Sequence, residues 1–326
     1  MCNQKRLGAH RSRPATGPCV IAIGNFDGVH RGHQVVLHEA VAQAREHGLA
    51  ARVLTFDPHP ATIVGREAPG CLTRLQRKIE LIQRVDARLE VVVQPFDAAF
   101  AHLTPLQFVR DVLCEQLEAR HVRVGANFRF GACRGGDVAL LNELGGRFGV
   151  QVQAAPFVSD ACGRLSSTRV RAAVRAGDMA LASSLLSRPH SVSGNVLRGQ
   201  GLARRWGFPT ANVGWIKELC PGHGVYAVAV DRMVGERAER LGLGACNVGV
   251  RPTVGAGFSV EVHLLDFNEN LYDSRLRVHF IEKLRDEKHY GSVEELTAQL
   301  HRDVEQARER LRDLQAPTGT TTAPWF

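Results

Sequence analysis

Residues Ile23–Gln34 read I-G-N-F-D-G-V-H-R-G-H-Q. An apolar run, Val20–Ile23, leads into this glycine-bearing turn. Behind it, Val36, Leu37, Ala40, Val41 and Ala44 repeat at helical spacing. A strand that feeds a tight turn and then a helix start makes an anion site. Backbone N–H groups point outward there and the helix dipole favours negative charge. His30 and His33, three residues apart at the helix start, can both face that anion. A zinc reading is weaker, since no third ligand stands nearby at ligand spacing and zinc takes three or four.

Outward from this turn, strand-like and helix-like stretches alternate. Val20–Ile23, Arg52–Phe56, Leu89–Val93, Val122–Gly125 and Val150–Ala154 read as strands, and Gln34–Glu46, Leu75–Val85, Pro105–Leu117 and Val138–Phe148 as helices. Such alternation predicts a parallel sheet covered by helices, with ligands at the carboxyl ends of the strands. The histidine turn, Asp57 and Asn127 all fall at such ends. Ser187-Arg188-Pro189 then breaks the pattern. Beyond it, Ser191–Leu197, Val225–Val230, Ala245–Val250, Val260–Leu265 and Leu276–Ile281 are short strand-like runs of a small antiparallel barrel or sandwich. A closing helix over Val293–Leu311 carries Leu296, Leu300, Val304, Ala307 and Leu311 on one face. The expected organisation is a basic disordered tail (1–18), an α/β domain (19–187), a β domain (188–312) and a disordered tail (313–326).

Composition narrows the class. The 326 residues suit two domains, and 44 % hydrophobic content suits full cores. No apolar run approaches the roughly 20 residues a bilayer needs. The polar, basic first residues predict no secretory signal and a cytoplasmic protein. Eight scattered cysteines without a C-x-x-C read as reduced thiols. The net charge of +8 fits a handler of polyphosphates. It would fit nucleic acid too, but zinc-finger spacing, an aromatic RNA-binding signature and a helix-turn-helix are all missing.

Five further stretches carry chemistry. Ser166, Ser167 and Thr168 open a helix with Arg169 and Arg171 one turn along. Capping explains one hydroxyl. Three hydroxyls with two arginines suit phosphate, which Arg171 can grip bidentately. Val124–Gly131 places Asn127 in an aromatic loop at a strand end, either an ordinary turn or the wall of a flat pocket. Gly199 and Gly201, ahead of Arg204, form a glycine loop that lacks the G-K-[ST] of a Walker motif. In G-F-P-T-A-N, Thr210 and Asn212 lie two apart on an extended strand and share a face. Their hard oxygens suit Mg²⁺ beside ATP phosphates. Glu261 alternates with Val260 and Val262, either as a solvated outer residue or as a general base.

In order, G-N-F-D-G-V-H-R-G-H, T-F-D-P-H-P, V-G-A-N-F-R-F-G, S-S-T-R-V-R, G-F-P-T-A-N, N-V-G-V-R-P-T-V, E-V-H-L-L-D-F and K-L-R-D-E-K resemble the bifunctional bacterial riboflavin kinase/FMN adenylyltransferase family over about residues 20–312. The resemblance implies a Rossmann-like nucleotidyltransferase sheet and a riboflavin kinase-like barrel. It implies ATP and Mg²⁺, with riboflavin, FMN and FAD as substrates and products. In the adenylyl-transfer site it implies His30 and His33 on the ATP phosphates and Gly24, Asn25, Phe26 and Asp27 in the binding turn. Asn127 would hold the nucleotide or flavin side, and Ser166, Ser167, Thr168 and Arg171 the polyphosphate. In the kinase it implies Gly199, Gly201 and Arg204 in the flap, Thr210 and Asn212 on the metal, Glu261 as base and Arg285 at the flavin end. Partners would be small molecules, a transient homo-oligomer and apoflavoprotein clients, without nucleic acid or membrane. Ala203, Trp206 and Cys133 depart from the family pattern. Two other classes share some features: aminoacyl-tRNA synthetases, with H-I-G-H but a lysine-rich loop that this chain lacks, and a flavin carrier with a decayed site.

Overall fold

The computed structural model describes residues 17–65, 67–198, 206–250, 258–314 and 325–326. Packing divides the chain into two units, Met1–Pro69 with Leu75–Ser166, and Gly70–Arg74 with Ser167–Phe326.

The first unit is built on β1 (Cys19–Ile23), β2 (Ala50–Asp57), β3 (Glu90–Pro95), β4 (Ala119–Gly125) and β5 (Gln151–Ala155). All pair in parallel, in the order β3-β2-β1-β4-β5. Every residue of β1 is buried, as a central parallel strand requires. Alternation sends Cys19, Ile21 and Ile23 into one core and Val20 and Ala22 into the other. Helix α1 (Arg31–His47) covers the second face with Val36, Leu37, Ala40, Val41 and Ala44 and stops at Gly48, whose φ of 65° is the left-handed conformation that glycine tolerates. Helices α2 (Leu75–Val85) and α3 (Val138–Arg147) also flank the sheet. Strand order runs one way from β1 through β3 and the other way from β4 to β5. The reversal falls between β1 and β4, where open parallel sheets bind ligands.

The second unit opens with α4 (Ser167–Ala176) and α5 (Met179–Leu186). A closed barrel follows, of β8 (His190–Leu197), β9 (Ala211–Gly214), β10 (Gly224–Val234), β11 (Arg237–Val250), β12 (Phe258–Leu264) and β13 (Arg275–Arg285). The small hairpin of β6 (Ser159–Asp160) and β7 (Gly163–Arg164) precedes it in the first unit. Helix α6 (Val293–Arg310) covers one side, with Ala307 and Leu311 buried against Ala227, Ala229, Leu243 and Ala245.

The structure therefore selects a barrel over a sandwich. It also differs from the sequence expectation in several elements. The helix expected over Pro105–Leu117 is a short α-helical turn, Pro105–Gln107, with a Thr104 capping box, which runs into a π-helix over Phe108–Gln116. The β10–β11 hairpin is far longer than the two short runs expected. Its polar outer half, around Gly235 at φ 61°, is held by ladder pairing from Arg232↔Glu239 to Val234↔Arg237 rather than by burial. Part of the C-terminal tail expected to be disordered is built: Arg312–Leu314 forms a helical turn, and Trp325 donates its indole N–H to the Val230 carbonyl at 3.0 Å under Arg240. Helices α4 and α5 pack with the barrel, as the Gly222 N–H donating to the Val174 carbonyl at 3.2 Å illustrates.

Candidate active sites

The histidine turn leaves β1 with an unusual backbone. Phe26 (φ 49°) and Val29 (φ 41°) stand in the left-handed region beside Gly28 (φ 88°). For a β-branched residue such as Val29 this is strained. Both side chains are core, so packing holds the strain in place. A Cβ on Gly24 would lie 3.3 Å from the Phe26 ring, so only glycine leaves the ring this room. Phe26 therefore differs from the other residues expected to line the site. Its ring, 2 % exposed, meets the His33 ring edge-on at 5.2 Å and supports it from within the core.

His30 is the N-cap of α1. Its Nδ1 accepts from the His33 backbone N–H at 3.3 Å. The accepting nitrogen carries no proton in that bond, so neutral His30 is protonated on Nε2. The His30 and His33 rings stack at 3.7 Å with planes 17° apart. One stacked pair thus caps the N-terminus of α1, at the positive end of the helix dipole. Asn25 is held on two sides: its carbonyl accepts from Thr55 Oγ1 at 3.1 Å, and its side-chain amide lies 3.3 Å from His59 Nε2. His59 comes from T-F-D-P-H-P, at the end of β2.

Across the switch point, Ile23 of β1 is level with Val124 of β4. The turn after β4 is closed by the Phe128 N–H on the Gly125 carbonyl and leaves Asn127 exposed. The Phe128 and Phe130 rings stack at 5.8 Å behind it. Cys133, in the same loop, has φ 53°. Leu165, next to Ser166, touches the histidine turn: a Cβ on Gly32 would lie 3.8 Å from the Leu165 Cβ. Ser167, Thr168 and Arg171 lie on α4 of the second unit. Arg171 is buried there and donates through Nε to the Gly70 carbonyl at 2.7 Å.

In the barrel, Asn212 of β9 pairs with Glu261 of β12, and Glu261 pairs on its other side with Asn247 of β11. The three side chains form one polar row on one face. Glu261 accepts from Ser259 Oγ at 2.9 Å. Val260 and Val262 point the other way, into the barrel. Thr210 and Asn212 border a cavity of about 490 Å³, walled by Val196, Pro209 and the loop Phe267–Tyr272; Glu261 is not part of its lining. The Thr210 hydroxyl and the Asn212 amide oxygen that border this cavity are hard donors of the kind Mg²⁺ prefers, so these residues fit that ion. Arg285 is a strut. Its guanidinium grips buried Asp303 of α6 bidentately at 2.8 and 2.7 Å and donates to the Asp286 carbonyl at 3.0 Å. The Asp303 hydrogen bonds, working against burial, raise the Arg285 pKa. Gly199, Gly201, Ala203 and Arg204 lie outside the described residues.

Two family models match. That of FAD synthetase covers residues 12–169 and that of riboflavin kinase covers residues 186–311. The chain is 40 % identical over 293 residues to the Escherichia coli K12 bifunctional riboflavin kinase/FMN adenylyltransferase, covering 89 % of this chain and 92 % of that one. It is 41 % identical to the Pseudomonas fluorescens enzyme of that name, covering 92 % of this chain and 96 % of that one. The chain belongs to the bifunctional riboflavin kinase/FMN adenylyltransferase family. A Streptococcus pneumoniae crystal structure titled a macrolide-efflux protein superposes with a TM-score of 0.79 at 28 % identity, over 91 % of this chain and 96 % of that one. Among the described residues no helix is long and apolar enough to cross a membrane.

For a member of this family, several supporting residues escaped the sequence reading. Thr55, His59 and Lys78 gather at the end of β2 only through the fold. Asp303 left a trace: it interrupts the apolar face of the closing helix with an acid that has to find a partner.

Proposed function

We infer that this flavin-synthesising enzyme uses ATP twice, at two sites, to turn riboflavin into FMN and FMN into FAD. The observation that carries the reading is the stacked His30–His33 pair on the N-terminus of α1, at the topological switch of a parallel sheet. Adenylyl transfer belongs to residues 19–187 and phosphorylation to residues 188–312.

In the kinase, Glu261 accepts the proton of the riboflavin 5′-hydroxyl as that oxygen bonds to the γ-phosphorus of ATP and the bond to the β-phosphate oxygen breaks, releasing ADP. Thr210 and Asn212 offer oxygens to Mg²⁺, which when bound offsets charge on the phosphate oxygens. Three of the five Arg285 N–H groups are committed within the protein, and the other two are free to meet the flavin end. Gly199, Gly201 and Arg204 are assigned to ATP and flavin binding by the family resemblance.

In adenylyl transfer, an FMN phosphate oxygen attacks the α-phosphorus of a second ATP and pyrophosphate leaves. FMN is itself the nucleophile, so the protein supplies position and charge. His30 Nε2–H, His33 and the α1 N–H groups stabilise the phosphate oxygens. Gly24, Asn25 and Asp27 shape the turn with Phe26 behind them. Asn127 orients the nucleotide or flavin, and Ser166, Ser167, Thr168 and Arg171 hold the polyphosphate. Donors fixed in place before reaction are worth most at such a centre. A cytoplasmic location, a transient homo-oligomer and apoflavoprotein clients complete the proposal.

Incubation with riboflavin, ATP and Mg²⁺, with flavins separated over time, tests it. FMN should appear before FAD. The His30→Ala/His33→Ala double variant should stop at FMN. Glu261→Gln should slow FMN formation by ~10²-fold while leaving FAD formation from added FMN intact. Equal loss of both activities in either variant would reject the two-site reading.

A further inference from the structure

Lys78 breaks two local rules. It is buried, as lysine rarely is. It also lies in the first turn of α2, a turn with no acid, where the dipole disfavours a cation. Positions that break local rules are where a fold serves something other than its own stability. The Lys78 ammonium donates to Thr55 Oγ1 at 3.2 Å and to the Phe56 carbonyl at 3.4 Å, at the carboxyl end of β2. Thr55, fully buried, donates its single O–H to the Asn25 carbonyl at 3.1 Å. Direction along the chain is thus fixed, from ammonium to hydroxyl to carbonyl. A hydroxyl has one proton to give, so its lone pair must receive Lys78. Asn25 opens the strained turn that delivers His30 and His33, and Gly24 beside it donates to the Leu54 carbonyl at 3.1 Å.

We propose that Lys78 is a positioning residue for adenylyl transfer: through Thr55 it fixes the Asn25 carbonyl, and with it the loop that presents His30 and His33. It also brings a positive charge beneath a loop that receives an anion, one hydroxyl away from its backbone. This rests on the adenylyl-transfer reading above. Lys78 and Thr55 act as one unit, because neither reaches the loop's function without the other.

The test measures FAD formation from FMN and ATP, and FMN formation from riboflavin in parallel, on the full chain. Lys78→Met and Thr55→Val should each lower kcat for FAD by about 10–100-fold, the scale of a loss of up to 1 Å in positioning. KM for ATP and the FMN-forming rate should stay within about twofold. The double variant should be no slower than the slower single one, since members of one unit do not multiply. Thr55→Ser, which keeps the hydroxyl, should recover most of the rate. If Lys78→Met fails to fold, the Val/Ser pair at Thr55 decides. Multiplying losses, a Lys78→Met or Thr55→Val enzyme at wild-type kcat, or equal rates for Thr55→Val and Thr55→Ser overturn the proposal. A wild-type chain that makes FMN but no FAD overturns the adenylyl-transfer reading itself, and the proposal with it.

Discussion

Replacing Gly32 by alanine should separate activity from stability. Gly32 is the second residue of α1, between the two histidines. A Cβ there would lie 3.2 Å from both Cε1 and Nδ1 of His30, closer than ordinary contact. The His30 ring cannot yield toward His33, because the two rings already stack at 3.7 Å. It must turn or lift by a few tenths of an ångström, which also bends the Nδ1 cap on the His33 N–H. If 1 Å of misplacement costs about 10²-fold, this shift costs roughly five- to tenfold in kcat for FAD formation. Helix propensity works the other way: alanine improves a helical glycine by up to about 1 kcal/mol. Gly32→Ala should therefore fold at least as well as the parent, make FMN at the parent rate and make FAD several-fold more slowly. Thermal melting with both rate assays would show it. A variant that forms FAD at full speed would mean that the His30 ring position does not matter to the reaction, and the stacked pair would lose its assigned role.

Three other outcomes follow from particular contacts. Asp303→Ala leaves the Arg285 guanidinium without its bidentate partner and should cost about 3 kcal/mol, toward the low end for a broken buried pair because Arg285 keeps some water; denaturant unfolding with a companion riboflavin-binding assay would measure it. Cys133→Gly should relieve the left-handed strain at φ 53° and, net of glycine's entropy, stabilise by about 0.5–1 kcal/mol, seen as a melting temperature a few degrees higher. The third concerns buried Asp231. Burial pushes its carboxyl up, but the His279 Nε2 contact at 2.9 Å and the Trp325 N–H bring it below its usual 3.8. A lowered carboxyl contributes stability above the unfolded pKa that is lost as pH falls through the folded one. The barrel should thus lose stability below pH 3.8, and Asp231→Asn should flatten that acid limb in tryptophan-monitored unfolding.

Much of this architecture was legible because its signals are local. β1 is five apolar residues in a row, α1 has an apolar face at helical spacing, and the turn between them has its histidines at a helix start. The polar row Asn212–Glu261–Asn247 was half legible: alternation put Glu261 on the face away from Val260 and Val262, but register alone brings Asn212 and Asn247 beside it. What stayed hidden depends on distant pairing. The outer half of the β10–β11 hairpin has no apolar alternation, so only its partner strand makes it a strand. Trp325 and Phe326 read as the end of a disordered tail until Asp231 and Val230 supply acceptors for the Trp325 N–H groups. Thr55 and Lys78 look like an ordinary strand residue and a surface helix residue until β2 and α2 bring them under Asn25.

The histidine turn shows why a strained loop can also be a rigid one. A left-handed Phe26 and a left-handed Val29 cost of order 1–3 kcal/mol each. Fully burying their side chains contributes about 1.5–3 kcal/mol each. The two magnitudes nearly cancel, so the turn gains little stability from its shape. What it gains is definition. Phe26 and Val29 pin it from the core, Thr55 holds the Asn25 carbonyl from β2, and the His30 cap fixes the start of α1. A loop tied at each of these points presents its donors with little left to rearrange when charge shifts onto a phosphate oxygen, which is where electrostatic catalysis draws its advantage. Glycines at Phe26 and Val29 would remove the strain and leave the loop free to move. In this turn, strain and catalytic readiness have the same origin, side chains buried where the backbone would prefer none.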